Sequence, residues 1–177
     1  MMTVAGQSGT APARWDADEA VEQLYAAHYR RLVRLSVLLV RDQETAEEVV
    51  QDSFVAMHGR WRQLQDPQKG LAYLRQTVVN RSRSVLRHRG VEDRHTPPPP
   101  QDQPGADAET LQRDRRRAVL DALQQLPQRQ REVLALRYYL DLDEASIADH
   151  LGISRGAVKS HASRGAAALR TLLEETQ

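Results

Sequence analysis

The sequence predicts an all-α protein built as two small helical domains joined by a proline-rich flexible linker. Three observations carry this prediction. Helix formers (Ala, Leu, Arg, Glu, Gln) dominate the 177 residues, while aromatics make up only 5%. Apolar residues recur at helical spacing, and few runs alternate in the manner of a strand. The stretch "GVEDRHTPPPPQDQPGADA", residues 90–108, has four consecutive prolines and almost no apolar side chain, so it cannot bury enough surface to fold. The expected boundaries are a disordered tail over 1–15, a first domain over 16–89, the linker over 90–108 and a second domain over 109–177.

In the first domain, "DEAVEQLYAAHYRRLVRLSVLLV" places Val21, Leu24, Tyr25, Leu32, Leu35 and Leu39 near one helical stripe. A second helix, "TAEEVVQDSFVAMHGRW", is expected to start with Thr45 as N-cap and Glu48 three residues on, turning Val49, Val50, Phe54 and Met57 inward. A loop rich in Gln, Asp, Pro and Gly precedes a third helix from Leu71. In the second domain, Pro127 is expected to end one helix and to sit in the first turn of the next. Two helices remain, "DEASIADHL" and "SRGAVKSHASRGAAALRTLLEE". Gly152 suits a left-handed turn between them and Ser154 a cap on the second. With Ala148, Gly152 and Val158 at helix-turn-helix spacing, this pair reads as a DNA-binding hairpin, with a purely packing hairpin as the bland alternative.

Net charge is only +1, but its distribution is uneven. From Arg60 to Arg94 nine basic residues face three acids, a local balance of +6, whereas Asp42 to Asp52 holds five acids and no base. Such segregation suits two different partners, one of them a polyanion. On the third helix, Leu71, Leu74, Val78 and Val85 project to one side. Gln76, Asn80, Arg83 and Arg87 project to the other, a row of donors fit for phosphates and base edges. On the last helix Val158, Ala162, Gly165 and Leu169 point inward. Small residues point outward between the flanking cations Lys159 and Arg164, as a helix entering a groove requires. A solvated basic face remains the alternative for the third helix, and a solvated acidic face for Glu47, Glu48, Gln51 and Asp52.

No cysteine is present, which excludes disulfides and thiolate metal sites, and the six histidines lie apart from carboxylates at ligand spacing, so no metal and no cofactor is expected. Nor does a nucleophile stand beside a base as an enzyme would need. No run approaches a membrane span and no basic-then-apolar leader opens the chain, so the expected location is the cytoplasm.

The segments "AEEVVQDSFVAMHGRW", "LAYLRQTVVNRSRSVLRHR" and "LDALQQLPQRQREVLALRYYLDLDEASIADHLGISRGAVKSHASRGAAALR", in this order, resemble a bacterial extracytoplasmic-function (ECF) RNA polymerase sigma factor of the actinobacterial SigE-family type. The resemblance covers roughly Asp16 to Leu173. It implies a non-enzymatic subunit that binds core RNA polymerase, opens the −10 promoter element with its first domain and reads the −35 element with its second. By the resemblance, Glu48, Gln51 and Asp52 match the motif that grips the clamp helices of the largest subunit. Lys69, Gln76, Asn80, Arg83 and Arg87 face −10 DNA, and a loop at about Gln63 to Gly70 captures a flipped base. Arg155, Gly156, Ala157, Lys159, Ser160 and Arg164 face −35 DNA. An anti-sigma factor is the further partner that the resemblance admits. A stand-alone helix-turn-helix repressor or activator is the alternative function.

Overall fold

The computed structural model describes residues 15–92 and 108–175. Among them there are seven α-helices, one π-helical turn and no strand. Residues 1–14 of the proposed tail and 93–107 of the proposed linker lie outside the described residues, while Trp15, assigned to the tail, accepts from the Trp61 indole N–H at 2.9 Å.

Helix α1 (Ala17–Val40) opens on Asp16, whose carboxylate accepts from the Glu19 N–H at 2.8 Å. It closes on Arg41 in the left-handed region (φ 68°), which turns the chain straight into α2 (Gln43–Leu64). The N-cap of α2 is Asp42, not Thr45. Its carboxylate accepts from both the N–H and the hydroxyl of Thr45, and an acid at this position also suits the positive end of the helix dipole. Glu48 therefore lies beyond a capping box.

The loop expected before α3 shrinks to Gln65 and Asp66, because α3 (Pro67–Glu92) begins four residues earlier than Leu71. Pro67 occupies the first helical position, where its missing N–H costs nothing, and Asp66 accepts from the Gln68 N–H at 2.8 Å. Gly70 does not break the helix. A Cβ there would lie 3.0 Å from both Leu24 and Trp61, so the glycine allows α3 to approach α1 and α2. The three helices bury Leu32, Leu35, Val50, Phe54, Met57, Leu74 and Val78, and Ser36 and Ser82 share a hydroxyl hydrogen bond of 3.0 Å inside the bundle. Tyr25, assigned to the inner stripe, is 41% exposed and stacks on Tyr29.

The second half comprises α4 (Ala108–Gln125), α5 (Gln128–Leu134), a π turn over Ala135–Tyr139, α6 (Glu144–Leu151) and α7 (Arg155–Glu174). Pro127 stands at the N-cap of α5 with extended ψ (140°), one position before the first turn expected for it. Val133, Leu136, Ile147 and Val158 are fully buried. They belong to the same hydrophobic cluster as the first bundle, so the two halves dock on one continuous core.

Polar contacts secure the seam. Arg131 on α5 is buried and donates to the carbonyls of Leu39 (3.0 Å) in α1 and of Leu123, Gln124 and Leu126 at the end of α4. One guanidinium thus satisfies the orphan carbonyls of two helix C-termini, and its charge complements both dipoles. Gln124 donates to the Leu39 carbonyl at 3.1 Å, and Arg41 pairs with Asp121. The Tyr139 hydroxyl donates to the Arg31 carbonyl at 3.2 Å while Arg31 donates back to the Tyr139 carbonyl at 3.4 Å.

Candidate nucleic-acid interface

Three surfaces stand out. The first is α7, set by two caps and a tight turn. Asp143 accepts from the Ser146 N–H at 2.7 Å and starts α6; these bonds from Ser146 hold its carboxyl below the ordinary carboxylate range. Gly152 takes φ 63°, and Ser154 accepts from the Ala157 N–H at 3.1 Å, which starts α7. Val158, Ala162 and Gly165 are buried against the rest of the second half. A Cβ on Gly165 would come within 3.1 Å of Gln130 and 3.2 Å of Leu134, so the glycine sets how closely α7 approaches α5. Arg155, Gly156, Lys159 and Arg164 are consequently exposed, with Ala157 and Ser160 half-buried between them. Lys159 lies 3.8 Å from Glu144 and the charge of Arg155 acts on Asp143, whereas Arg164 forms no salt bridge among the described residues.

The second surface is the outer face of α3. Gln76, Asn80 and Arg87 are exposed, as the helical projection expects, and so is Lys69. Arg83 is not free: it makes a bidentate pair with Glu132 on α5, both bonds 2.9 Å long, and lies 3.4 Å from the Asn80 side-chain oxygen. Glu132 is 2% exposed and also accepts from Gln128 and Arg129. Beside Gln76, Arg75 is half-buried. Burial and then Arg31 lower its pKa, and burial, Arg75 and Arg31 in that order lower that of His28. Two guanidinium groups and an imidazole from α1 and α3 therefore crowd one spot. The sequence reading missed it because α1 was read only for its apolar stripe.

The third surface is α2. Glu48, Gln51 and Asp52 are exposed, and Val55, 73% exposed, completes a stripe at the i, i+3, i+4, i+7 positions of one helical face. Asp52 lies 3.4 Å from Arg81 of α3, where the acidic and basic faces meet. An open valine among carboxylates has no use in the fold, and it extends the acidic patch as an apolar contact point. Its signal in the sequence was the helical register itself.

Among the described residues no group of three or more His, Cys, Asp or Glu could hold a metal, and no helix is long and apolar enough to cross a membrane.

Comparisons with known proteins agree with this layout. The family profile described as Sigma-70 region 2 matches residues 24–91, and the one described as Sigma-70, region 4 matches residues 116–169. The RNA polymerase sigma-E factor of Streptomyces avermitilis is 34% identical over 143 residues, 81% of this chain and 79% of the relative. The ECF RNA polymerase sigma factor SigM of Mycobacterium tuberculosis is 34% identical over 158 residues, 87% of this chain and 77% of the relative. Among solved structures, CnrH in complex with the cytosolic domain of CnrY matches with a TM-score of 0.67 at 25% identity, covering 91% of this chain and 96% of that one. The sigma factor RpoE of Bartonella quintana, solved with the anti-sigma factor NepR, shares the fold (TM-score 0.67, 23% identity, 86% of this chain and 96% of that one). Two regions matched in order, on an all-helical fold with two cationic helices and one acidic stripe, place the chain in the sigma-70 family: it belongs to the ECF group of RNA polymerase sigma factors, which are initiation factors and not enzymes.

Proposed function

We propose that this sigma factor divides promoter work among the three surfaces, and the observation that carries the assignment is the exposed acidic stripe of α2 set against two cationic helices. DNA repels that stripe, so it suits a basic protein surface, the clamp helices of the largest polymerase subunit, through Glu48, Gln51, Asp52 and Val55. The outer face of α3, with Lys69, Gln76, Asn80 and Arg87, engages the −10 element, and Arg83 joins once its pair with Glu132 opens. A pocket of about 490 Å³ lined by Trp15, Asp16, Asp18, Trp61, Arg62 and Gln65 opens between the start of α1 and the end of α2 and offers room for an extruded base. Flipping costs a few kcal/mol, which stacking on tryptophan offsets.

On this reading α7 reads −35 duplex through Arg155, Gly156, Ala157, Lys159, Ser160 and Arg164. The domains are residues 16–89 and 109–177, joined over 90–108. The helices overrun both edges slightly, since α3 reaches Glu92 and α4 starts at Ala108. An anti-sigma factor is a further partner in this reading. An apolar groove of about 550 Å³ between Leu38, Leu123, Leu134, Tyr138 and Leu169 suits the apolar face of a partner helix, and the solved relatives above were captured with the anti-sigma factor NepR and with the cytosolic domain of CnrY. The cytoplasm, where core polymerase works, is the expected location.

Run-off transcription with core polymerase on promoter fragments tests the reading. The protein should direct initiation, and Asp52→Arg should weaken core binding while leaving the folded state intact. Unchanged core affinity in that variant would remove the clamp assignment. Tight binding of the isolated protein to a palindromic site, without initiation, would instead favour a stand-alone regulator.

A further inference from the structure

On one side of the seam, α1, α2, α3 and α4 come together around an open pocket of about 430 Å³. Arg41 comes from the end of α1, Asp42 from the cap of α2, Arg89 from the last turns of α3, and Arg113, Arg116 and Arg117 from α4. Five guanidinium groups and one carboxylate thus line the pocket. A merely solvated basic face would spread such groups along one helix. Here they converge from three helices onto a concave surface, where low-dielectric walls focus the field.

Part of this charge is already answered inside the protein. Arg41 pairs with Asp121, and Arg89 donates to Thr45 and lies 3.5 Å from Asp42. Arg116 and Arg117 are exposed and have no ion partner among the described residues. They belong to the second half, while Arg41 and Arg89 belong to the first, so like charges face one another across the seam. Repulsion there works against the docking that Arg131 and Gln124 secure. The pocket also lies at the N-terminus of α2, and its one resident anion, Asp42, shows how it treats oxygen: hydrogen bonds from Thr45, then Arg89, hold that carboxyl below its ordinary 3.8.

We propose that this pocket binds a small polyphosphate, with Arg116 and Arg117 of α4 and Arg41 and Arg89 of the first half forking onto its phosphate oxygens, and that the bound ligand ties the two halves together. Guanidinium forks match phosphate oxygens bidentately, and several phosphates in one molecule can engage arginines converging from different helices better than single ions do. The volume falls in the range of small-ligand sites.

Titration calorimetry of the full-length protein with inorganic tripolyphosphate, at constant ionic strength and with sulfate as control, tests it. Tripolyphosphate should bind saturably at one site and raise the melting temperature, and sulfate should do neither. Arg116→Ala with Arg117→Ala should weaken binding by about tenfold or more. The double variant Arg30→Ala with Arg60→Ala, which removes two exposed arginines outside the pocket, should leave binding unchanged. Circular dichroism and the melting temperature without ligand establish that the variants fold. Equal weakening in both double variants, binding that sulfate reproduces, or no saturable binding would overturn the proposal. A parallel titration with oligo-dT distinguishes a nucleic-acid track: loss of oligo-dT binding in the Arg116/Arg117 variant with tripolyphosphate binding intact would also overturn it.

Discussion

Arg83 on α3 and Glu132 on α5 form a bidentate ion pair across the seam between the two halves, with both N–O distances 2.9 Å. The acceptor is almost fully buried, and two further donors converge on it. With Nε and Nη2 committed to Glu132, this guanidinium cannot present the same fork to a phosphate or a base edge. Glu132→Gln keeps the shape and removes the charge. The variant should lose about 1–3 kcal/mol of stability in urea unfolding. It should also bind a −10 promoter fragment more tightly than the parent in fluorescence anisotropy. Equal affinity in the two proteins would mean that Arg83 takes no part in DNA binding.

Arg131 should be less replaceable than its charge alone suggests. Its fork reaches carbonyls at the ends of α1 and α4 together, a geometry that a lysine ammonium cannot reproduce. Arg131→Lys should therefore cost about 2–4 kcal/mol in urea unfolding, from carbonyls left without donors. A loss under about 0.5 kcal/mol would show that water replaces those bonds.

Two glycines on α7 separate packing from recognition. Gly165→Ala forces a Cβ against Gln130 and Leu134 and should lower stability by about 1–3 kcal/mol. Gly156→Ala meets only the Ser154 hydroxyl, at 3.9 Å, so stability should hold. Affinity for −35 duplex should fall, since a methyl group stands where the helix meets the groove. Thermal melts and anisotropy on both variants check the contrast.

Lys159 and Arg164 differ in their surroundings. Lys159→Ala and Arg164→Ala should each cost roughly 1–3 kcal/mol of promoter affinity where a base edge is contacted. Equal losses on duplexes lacking the −35 sequence would reassign them to phosphate contacts. Because Glu144 lies near Lys159 as well as Arg137, while Arg164 has no such neighbour, Glu144→Gln should strengthen DNA binding more when Lys159 is present than in Lys159→Ala.

Stability should fall on mild acidification in a way traceable to His28. Burial, then Arg75 and Arg31, hold its pKa below the ordinary 6.5, so the native state resists a proton that the unfolded chain accepts. The contribution is therefore intact above about pH 6.5 and is lost as the pH falls toward the lowered native value. Urea midpoints near pH 7.5 and about 5.5 should differ less in His28→Gln than in the parent. An identical pH dependence in both proteins would exclude His28 as a source.

Much of this architecture was legible in the sequence, because helical periodicity and turn chemistry are local. Gly152, Ser154 and the inward set Val158, Ala162 and Gly165 needed only neighbours in the chain to be read. The misplaced starts have a local cause too: Thr45 and Leu71 looked like first residues only while Asp42, Asp66 and Pro67 were treated as loop. What could not be read was pairing across the seam. Glu132 lies 49 residues from Arg83 and carries no motif. Arg83 therefore looked as open as Asn80 or Arg87. Val55 was hidden differently, since an apolar residue on a helix is read as inward until its neighbours' register is counted.

The π turn at Ala135–Tyr139 carries a last consequence. A helix that widens for one turn holds one residue more than its length along the axis requires, and the Leu140 N–H bonds back to the Ala135 carbonyl five residues earlier. Removing a single residue there, Tyr138 for example, would let the turn tighten into ordinary α-helix while α5 and the DNA-reading hairpin keep their relative phase. The same deletion in α7 would rotate everything beyond it by about 100°. This short stretch is thus a slack point in the chain, the place where its length can change by one without turning the hairpin away from DNA.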